Sequence, residues 1–591
     1  MIKKSLDAWK KLMQILNAEQ KRLFWLVLFA AIIAAIFETL GVSVIVPVVN
    51  ALLTPEVLFE YKWMKPVISI FNIDSNREMI ITVIGGTIVL YLVKNGYTIL
   101  FSWIKAKYSS KIQRECSVYM MQSYMNRGYD YFLNKNSNEI VQGTVNDIQG
   151  IYNMINSIIY LFTKVLICVL IGLFMLLSDP VMAISMMISA VVCLLILVIG
   201  FKKPMRKTGE LLRMYSINAN QVLLQAIHGV KEVIVARKQN EFIDQYKEQM
   251  ALRQKQDIKK VVATDAPNSI VEAFCITVLM VVLCVKVLIS PDSTQFIAVL
   301  ATFAVGAFRI LPAIGYISSS FNNIISTMPS LNAVYENIIE SREYNNKFYN
   351  ISVQDKEEYK DHKFSDGIKV DNITFSYSPE LHNVLEDLSL EIEKNRSVAL
   401  VGESGSGKTT LADIILGVLP MNSGTVKLDG IDVKDIPNYW ARLIGFVPQS
   451  IYLCDSSIAE NVAFGVRKKD IDYEQVKSAL RMADILDFVE QLPEGLDTRV
   501  GDRGVRLSGG QRQRIGIARA LYHSPEILVM DEATSALDND TEKQVMEAIE
   551  SLQGNITMLI IAHRLTTVKN CDKIYEIKDG KAHLRKYEDI I

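Results

Sequence analysis

Charge is scarce in this chain, and neither sign dominates. Of 591 residues, 21% are charged, with 63 Lys+Arg against 64 Asp+Glu and a formal net charge of −1. That balance excludes a globally basic nucleic-acid binder. Cysteine is also sparse: seven are scattered without a CxxC, and Cys168, Cys193, Cys275 and Cys284 sit inside apolar runs. A disulfide scaffold and a zinc site are thereby excluded, and a reducing compartment is expected for the polar part. The first residues, MIKKSLDAWKKLMQILNAEQKR, are basic and amphipathic. They lack the short apolar core and small-residue cleavage site of a signal peptide, so no cleavage is expected. What the chain does have is apolar length. Half of it is hydrophobic, too much for a disordered chain and for an evenly mixed soluble enzyme.

The apolar residues are concentrated in the first part. Crossing a bilayer takes about 20 mostly apolar helical residues. Six segments satisfy this: Leu23–Leu53, Met79–Ile104, Ile151–Leu177, Val181–Phe201, Ser269–Ile289 and Gln295–Ser326. Backbone in lipid must pair internally, so these are expected helices. Lys and Arg crowd the region before the first span and the stretch from Lys202 to Lys260, while Ser178–Pro180 and Ser290–Thr294 carry none. The positive-inside rule then puts both termini in the cytoplasm. The connections at about 105–150 and 202–268 are long, poor in turn signals and read as helical extensions into water. The outer segment Thr54–Glu78 mixes Phe59, Trp63, Ile68 and Phe71 with Lys62 and Lys65. It reads either as a helix lying on the membrane surface or as an ordinary packed loop.

The last part carries chemistry. Gly402-Glu-Ser404-Gly405-Ser-Gly407-Lys408-Thr409 fits G-x-x-x-x-G-K-[ST], after an apolar strand and before a helix containing Thr410. Glycines in such a loop let amides converge on phosphate oxygens. The lysine reaches the outer phosphates and the Thr409 hydroxyl is placed for Mg²⁺. Ile527-Leu-Val-Met-Asp531-Glu532 is a buried strand ending in two acids. Asp531 is expected to serve Mg²⁺ and Glu532 to take a proton from attacking water. Leu507-Ser508-Gly509-Gly510-Gln511 is a second Gly-rich turn opening a helix, with no second nucleotide motif in the chain for it to serve.

Together these motifs resemble the nucleotide-binding domain of ABC transporters, across residues 366–591. The resemblance implies ATP and Mg²⁺ as cofactors and assigns further roles. Tyr377 would stack on adenine, Gln449 would sense Mg²⁺ and water, and His563 would contact the γ-phosphate. Asp538, in Ser535-Ala-Leu-Asp538, would lie at a dimer interface, and Asp502 stands where exporters usually carry Glu. In the family, LSGGQ meets ATP held by a partner domain. One chain with one of each motif therefore implies a homodimer with two equivalent sites. The expected architecture is an α-helical six-span transmembrane domain (1–340), a linker (341–365) and an α/β P-loop nucleotide-binding domain (366–591), as in domain-swapped exporters. Roughly Asn134–Asp147 and Asn218–Val235 would form the turns that transmit closure.

Ionisable residues inside a membrane default to functional suspicion. Counting at about 1.5 Å per residue puts Lys94, Lys164 and Arg309 at similar depth, near Glu38 and Glu272. Either they pair internally, or they leave a cationic belt for an anionic headgroup, with Arg309 as its first candidate. The membrane half also resembles the PglK-type flippases of lipid-linked oligosaccharides, through IFETLGVSVIVP and FRILP. That family's cationic positions are not all retained, since Asn268 and Tyr316 stand at two of them. The resemblance implies ATP-driven flipping of a polyprenyl-pyrophosphate glycan across a bacterial plasma membrane. The alternatives are an exporter of hydrophobic small molecules, lipids or peptides, and an ATP-gated regulator without transport, which intact Glu532 and LSGGQ argue against.

Overall fold

The computed structural model describes residues 2–178, 180–289, 295–344, 354–378, 380, 382–532, 539–562 and 568–590. The chain divides into two compact units. One is Met1–Met125 with Lys135–Glu343, and the other is Asn126–Asn134 with Tyr344–Ile591.

The first unit is helical. An amphipathic α1 (Ile2–Ile15) precedes α2 (Ala18–Ser43) and α3 (Ile45–Leu53). Asn17 caps α2: its side chain accepts from the Gln20 amide, and Gln20 returns the bond to the Asn17 amide. The outer segment forms two short helices, α4 (Pro55–Glu60) and α5 (Lys65–Phe71). They bury Leu58 and Met64 against Ala51, Met79 and Val83, while Trp63, Ile70 and Phe71 stay exposed. The segment is therefore helical, and one side of it is packed.

Very long helices follow: α6 (Asn76–Met125), then, beyond the short α7 (Tyr129–Asn134) and α8 (Ser137–Val141), α9 (Ile148–Ser178) and α10 (Pro180–His228). The short α11 (Val230–Val235), α12 (Gln239–Ile289) and α13 (Gln295–Tyr344) complete the unit. Helices of about 50 residues run about 75 Å, far beyond a bilayer, as the turn-poor connections predict. Among the described residues five stretches are long and apolar enough to cross: Ala18–Leu52, Asn76–Met125, Ser137–Leu177, Ala183–Phe201 and Gln239–Val278. The expected sixth, Gln295–Ser326, falls within α13, and the Ser290–Thr294 loop lies outside the described residues. One expected turn is corrected. The break expected at roughly Asn134–Asp147 begins earlier, after Met125, and takes in the short α7, whose residues belong to the second unit. Asn136 caps the next helix by accepting from the Asn138 amide. Gln142–Asp147 is already a π-helical stretch of the returning helix.

The second unit has two sheets. Antiparallel β2-β1-β4-β5 comprises Leu385–Glu393, Gly367–Phe375, Ser423–Leu428 and Ile431–Asp432. The larger sheet runs β10-β9-β3-β8-β7-β6, with β3 (Ser397–Val401), β6 (Ile444–Val447), β7 (Ile527–Asp531), β8 (Thr557–Ile561), β9 (Lys573–Lys578) and β10 (Lys581–Arg585). All but β10 pair in parallel. Every residue of β3, β7 and β8 is buried, as expected of parallel strands covered on both faces. The helices α14 (Lys408–Ile415), α15 (Pro437–Leu443), α16 (Ile458–Val462), α17 (Tyr473–Met482), α18 (Leu486–Glu490), α19 (Gly509–Leu521) and α20 (Asn539–Glu550) complete it.

Candidate functional site

The ends of β3, β7 and β6 build the candidate site. In the order β3-β8-β7-β6, the loop after β3, the acids closing β7 and Gln449 after β6 all lie at the carboxyl edge of one parallel sheet. That edge is where ligands bind in open α/β sheets. Gly402 leaves β3 at φ 143, and a Cβ there would sit 2.5 Å from the Ile577 carbonyl oxygen. Gly407 opens α14 at φ 99 in the left-handed region. No side chain suits either position. The first amides of α14 have no intrahelical acceptor, and the helix dipole adds positive potential there. Beside them the Ser406 hydroxyl is buried without a hydrogen-bond partner. An orphaned donor in a loop of converging amides fits a phosphate oxygen. The motif's unspecified positions gave no reason to single out Ser406.

Lys408 is buried and donates to the carbonyls of Gly402 (3.0 Å) and Glu403 (2.9 Å). Burial pushes its amine down, and the carboxylates of Glu532 and Asp531 act in the opposite direction. Thr409 Oγ1 donates to Asp531 Oδ1 at 3.4 Å. Thr409 and Asp531 are the residues that would hold Mg²⁺, with Gln449 as the third candidate. Gln449 Nε2 donates instead to Glu532 Oε2 at 2.6 Å. Glu532 itself has φ 47, a left-handed conformation that non-glycine residues adopt at a cost. Its amide donates to the Ile561 carbonyl across β8. Tyr377, half-exposed just after β1, shares a 2.9 Å hydrogen bond between its hydroxyl and that of Thr410. Ser404 and Gly405 lie exposed at the loop tip.

The signature closes on itself. Ser508 Oγ accepts from the Gln511 amide, and Gln511 Oε1 accepts from the Ser508 amide, forming a capping box on α19. Gly509 is exposed and Gly510 buried at this helix start. Among the described residues, neither the Ser508 nor the Gln511 side chain bonds to the loop after β3. His563 and Asp538 lie outside the described residues.

In the membrane half, one carboxylate gathers two of the three candidate cations. Lys94 Nζ is 2.6 Å from Glu38 Oε2, and Arg309 Nη1 is 2.7 Å from Glu38 Oε1. Lys94 is 3% exposed and Arg309 38%, so the lysine is the sunken member and the arginine the accessible one. Gly41 leaves Lys94 its place, since a Cβ there would approach the lysine Cδ to 3.3 Å. Lys164 stands apart, 5.3 Å from the Tyr316 ring centroid, and among the described residues it makes no ion pair. Glu272 is exposed and also forms no ion pair among the described residues. Asn268 Oδ1 is buried without a partner.

Residues 385–535 match the family model for ABC transporters, and residues 24–308 match that for the ABC transporter transmembrane region. The chain belongs to the ABC transporters. It has the exporter arrangement, a helical transmembrane domain followed by an ATP-binding domain, and is an ATPase coupled to transport. It is 32% identical over 456 residues to the heterocyst differentiation ATP-binding protein HepA of Nostoc sp., covering 76% of this chain and 72% of that protein. To an ATP-dependent lipid A-core flippase of Ralstonia nicotianae it is 44% identical over 216 residues, 36% of each. The solved structure of a bacterial Atm1-family ABC exporter with ATP bound has the same fold. Its TM-score is 0.76 at 20% identity, covering 97% of this chain and 96% of that one.

Proposed function

We propose that two copies of this chain use ATP to flip a lipid with an anionic head outward across a bacterial plasma membrane. The favoured cargo is a polyprenyl-pyrophosphate oligosaccharide. The observation that carries this reading is the charge count around Glu38. One carboxylate serves both Lys94 and Arg309, and Lys164 adds a third cation that lies over an aromatic ring and makes no ion pair among the described residues. An excess of positive charge inside a membrane is costly unless a negative group is to be received. Similarity to lipid A-core flippases supports a lipid cargo. At the ATP site Tyr377 stacks on the base, and the loop from Gly402 to Thr410 holds the phosphates. Thr409, Gln449 and Asp531 hold Mg²⁺, which supplies charge neutralisation on the phosphates. Glu532 accepts the proton of the attacking water, Gln449 senses Mg²⁺ and that water, His563 contacts the γ-phosphate, and Ser508–Gln511 of the other copy close the site.

The test is outward movement of a fluorescent polyprenyl-pyrophosphate oligosaccharide in proteoliposomes, comparing the wild type with Glu532→Gln, with and without ATP. Translocation by the wild type with ATP alone is the expected result. Vigorous ATPase without translocation would move the cargo to the small-molecule or peptide class.

A further inference from the structure

The membrane unit contains a cleft of ≈ 180 Å³ between α9, α10 and α13, lined by aliphatic side chains, methionines and Cys168. Its floor is buried: Met175, Met186, Ile310 and Ile314. Its rim is open, with Val169, Met187 and Val191 exposed. The volume slightly exceeds the ~150 Å³ apolar cavity that stays dry and takes up a benzene, so the cleft suits a short run of hydrocarbon. Gly172 lines it without a side chain, and a Cβ there would stand in ordinary contact with Met187, 3.6 Å from Sδ, 3.8 Å from Cε and 3.9 Å from Cγ. The methionines give the wall an adaptable shape.

Charge stands at the margin of this apolar space. Lys164 precedes Cys168 by one turn on the same face of α9. Its ammonium lies over the ring of Tyr316, the neighbour of the cleft residue Ile317. A tail already in hydrocarbon gains little by entering an apolar cleft. The cleft can therefore select shape, and binding strength has to come from the cation.

We propose that the cleft holds a segment of the hydrocarbon tail of the transported lipid phosphate while its phosphate meets Lys164 at the edge of the cleft. This rests on the flippase reading above and adds where the tail goes: into a seat within each copy.

The test uses the full chain in phosphatidylcholine vesicles with a diazirine-bearing farnesyl phosphate. Diazirine-bearing farnesol and diazirine-bearing phosphatidylcholine are the comparison probes. Photolabel from the phosphate is expected on Met175, Met186 and Met187, whereas the alcohol and the phospholipid spread over exposed positions such as Ile188 and Leu195. Lys164→Gln is expected to lower cleft labelling by the phosphate about tenfold, the loss of one charge-assisted contact. Gly172→Trp is expected to abolish cleft labelling, and Gly172→Ala, whose methyl fits, to keep it. Equal cleft labelling by farnesol or by the phospholipid, or label unchanged in Gly172→Trp, overturns the proposal. If Gly172→Trp fails to fold, the comparison of phosphate with alcohol still decides. Cleft labelling without flipping of the oligosaccharide lipid sustains the seat and defeats the flippase reading. Flipping without cleft labelling does the reverse.

Discussion

Glu532 combines two features that a sequence motif cannot convey together. Its carboxylate is held by Gln449 at 2.6 Å, and its backbone sits at φ 47. A glutamate in the left-handed region costs about 1 kcal/mol or more, and the adjoining strand, pinned at the Ile561 carbonyl, holds it there. The acid is thus fixed at the sheet edge by the backbone and by Gln449. Glu532→Gln is expected to keep ATP affinity and slow hydrolysis by about 10²–10⁴-fold, read by nucleotide binding beside single-turnover hydrolysis. Fast turnover would remove Glu532 as the base. Asp413, on α14 behind the phosphate loop, offers a second residue-scale test. Burial, helped by the nearby Asp531, pushes its carboxyl up from 3.8 to about 6. The raised value means the folded state favours the neutral acid. Asp413 therefore costs nothing below about pH 3.8, and stability falls as pH climbs through about 6. Asp413→Asn is expected to raise the melting stability of the ATPase unit at pH 8 by about 1 kcal/mol, after allowance for solvent screening at a partly exposed group. The gain should vanish near pH 4 in a pH-resolved thermal melt.

Elements carry interactions that cross long stretches of sequence, and there the sequence is least explicit. The strand–glycine–helix pattern around Gly402–Lys408 and the acids after Met530 are local signals, so the phosphate loop and the strand ends were legible. The pairing of Glu38 with both Lys94 and Arg309 joins α2, α6 and α13. Depth counting placed these residues at one level but could not choose between partners and a ligand. The first cytoplasmic reversal was placed too late in the chain: Gly128 stands at its start, whereas the Asn136 cap that closes it is a polar residue in a polar stretch. Two element-scale outcomes follow. Glu38→Ala leaves two cations without their carboxylate and is expected to destabilise the membrane unit by about 3–5 kcal/mol. Arg309→Ala keeps the Lys94–Glu38 pair and should cost far less stability, while impairing transport more than basal ATPase. Equal loss of both activities would make Arg309 a structural residue only. In the second unit Asp429 ties the segment before β1 to the turn between β4 and β5. It accepts the amides of Ser365, Asp366 and Gly367 at 2.7–2.9 Å and the Ser365 hydroxyl at 3.1 Å. Burial opposes its ionisation, but those bonds hold it below the usual carboxylate range. Asp429→Ala strands three amides and is expected to cost about 2–4 kcal/mol in a denaturant titration.

At the scale of the whole molecule, the proposed dimer would have each chain carry half of each catalytic site. Lys408, Asp531 and Glu532 converge at one sheet edge, whereas the Ser508–Gln511 turn spends its side-chain hydrogen bonds on capping α19. Its exposed Gly509 amide is the kind of donor that an anion brought by another chain would meet. Composite sites in a two-fold dimer make a quantitative prediction. Lys408→Ala destroys phosphate binding on its own chain, and an added negative charge and bulk at the Ser508–Gln511 turn, Ser508→Glu, spoils the site of the opposite chain. Each variant alone leaves both sites of its homodimer dead. When the two are mixed and allowed to reassemble, about half of the dimers pair one variant with the other. In such a dimer both lesions fall on the same site, and the remaining site has an intact Lys408 facing an intact Ser508. ATPase activity of the mixture is then expected to return to about a quarter of the wild-type rate if each site turns over independently. It should stay at zero if each chain completes its own site. Activity well below a quarter, but measurable, would mean that the two sites fire in concert, so that one lesion also slows the site it does not touch.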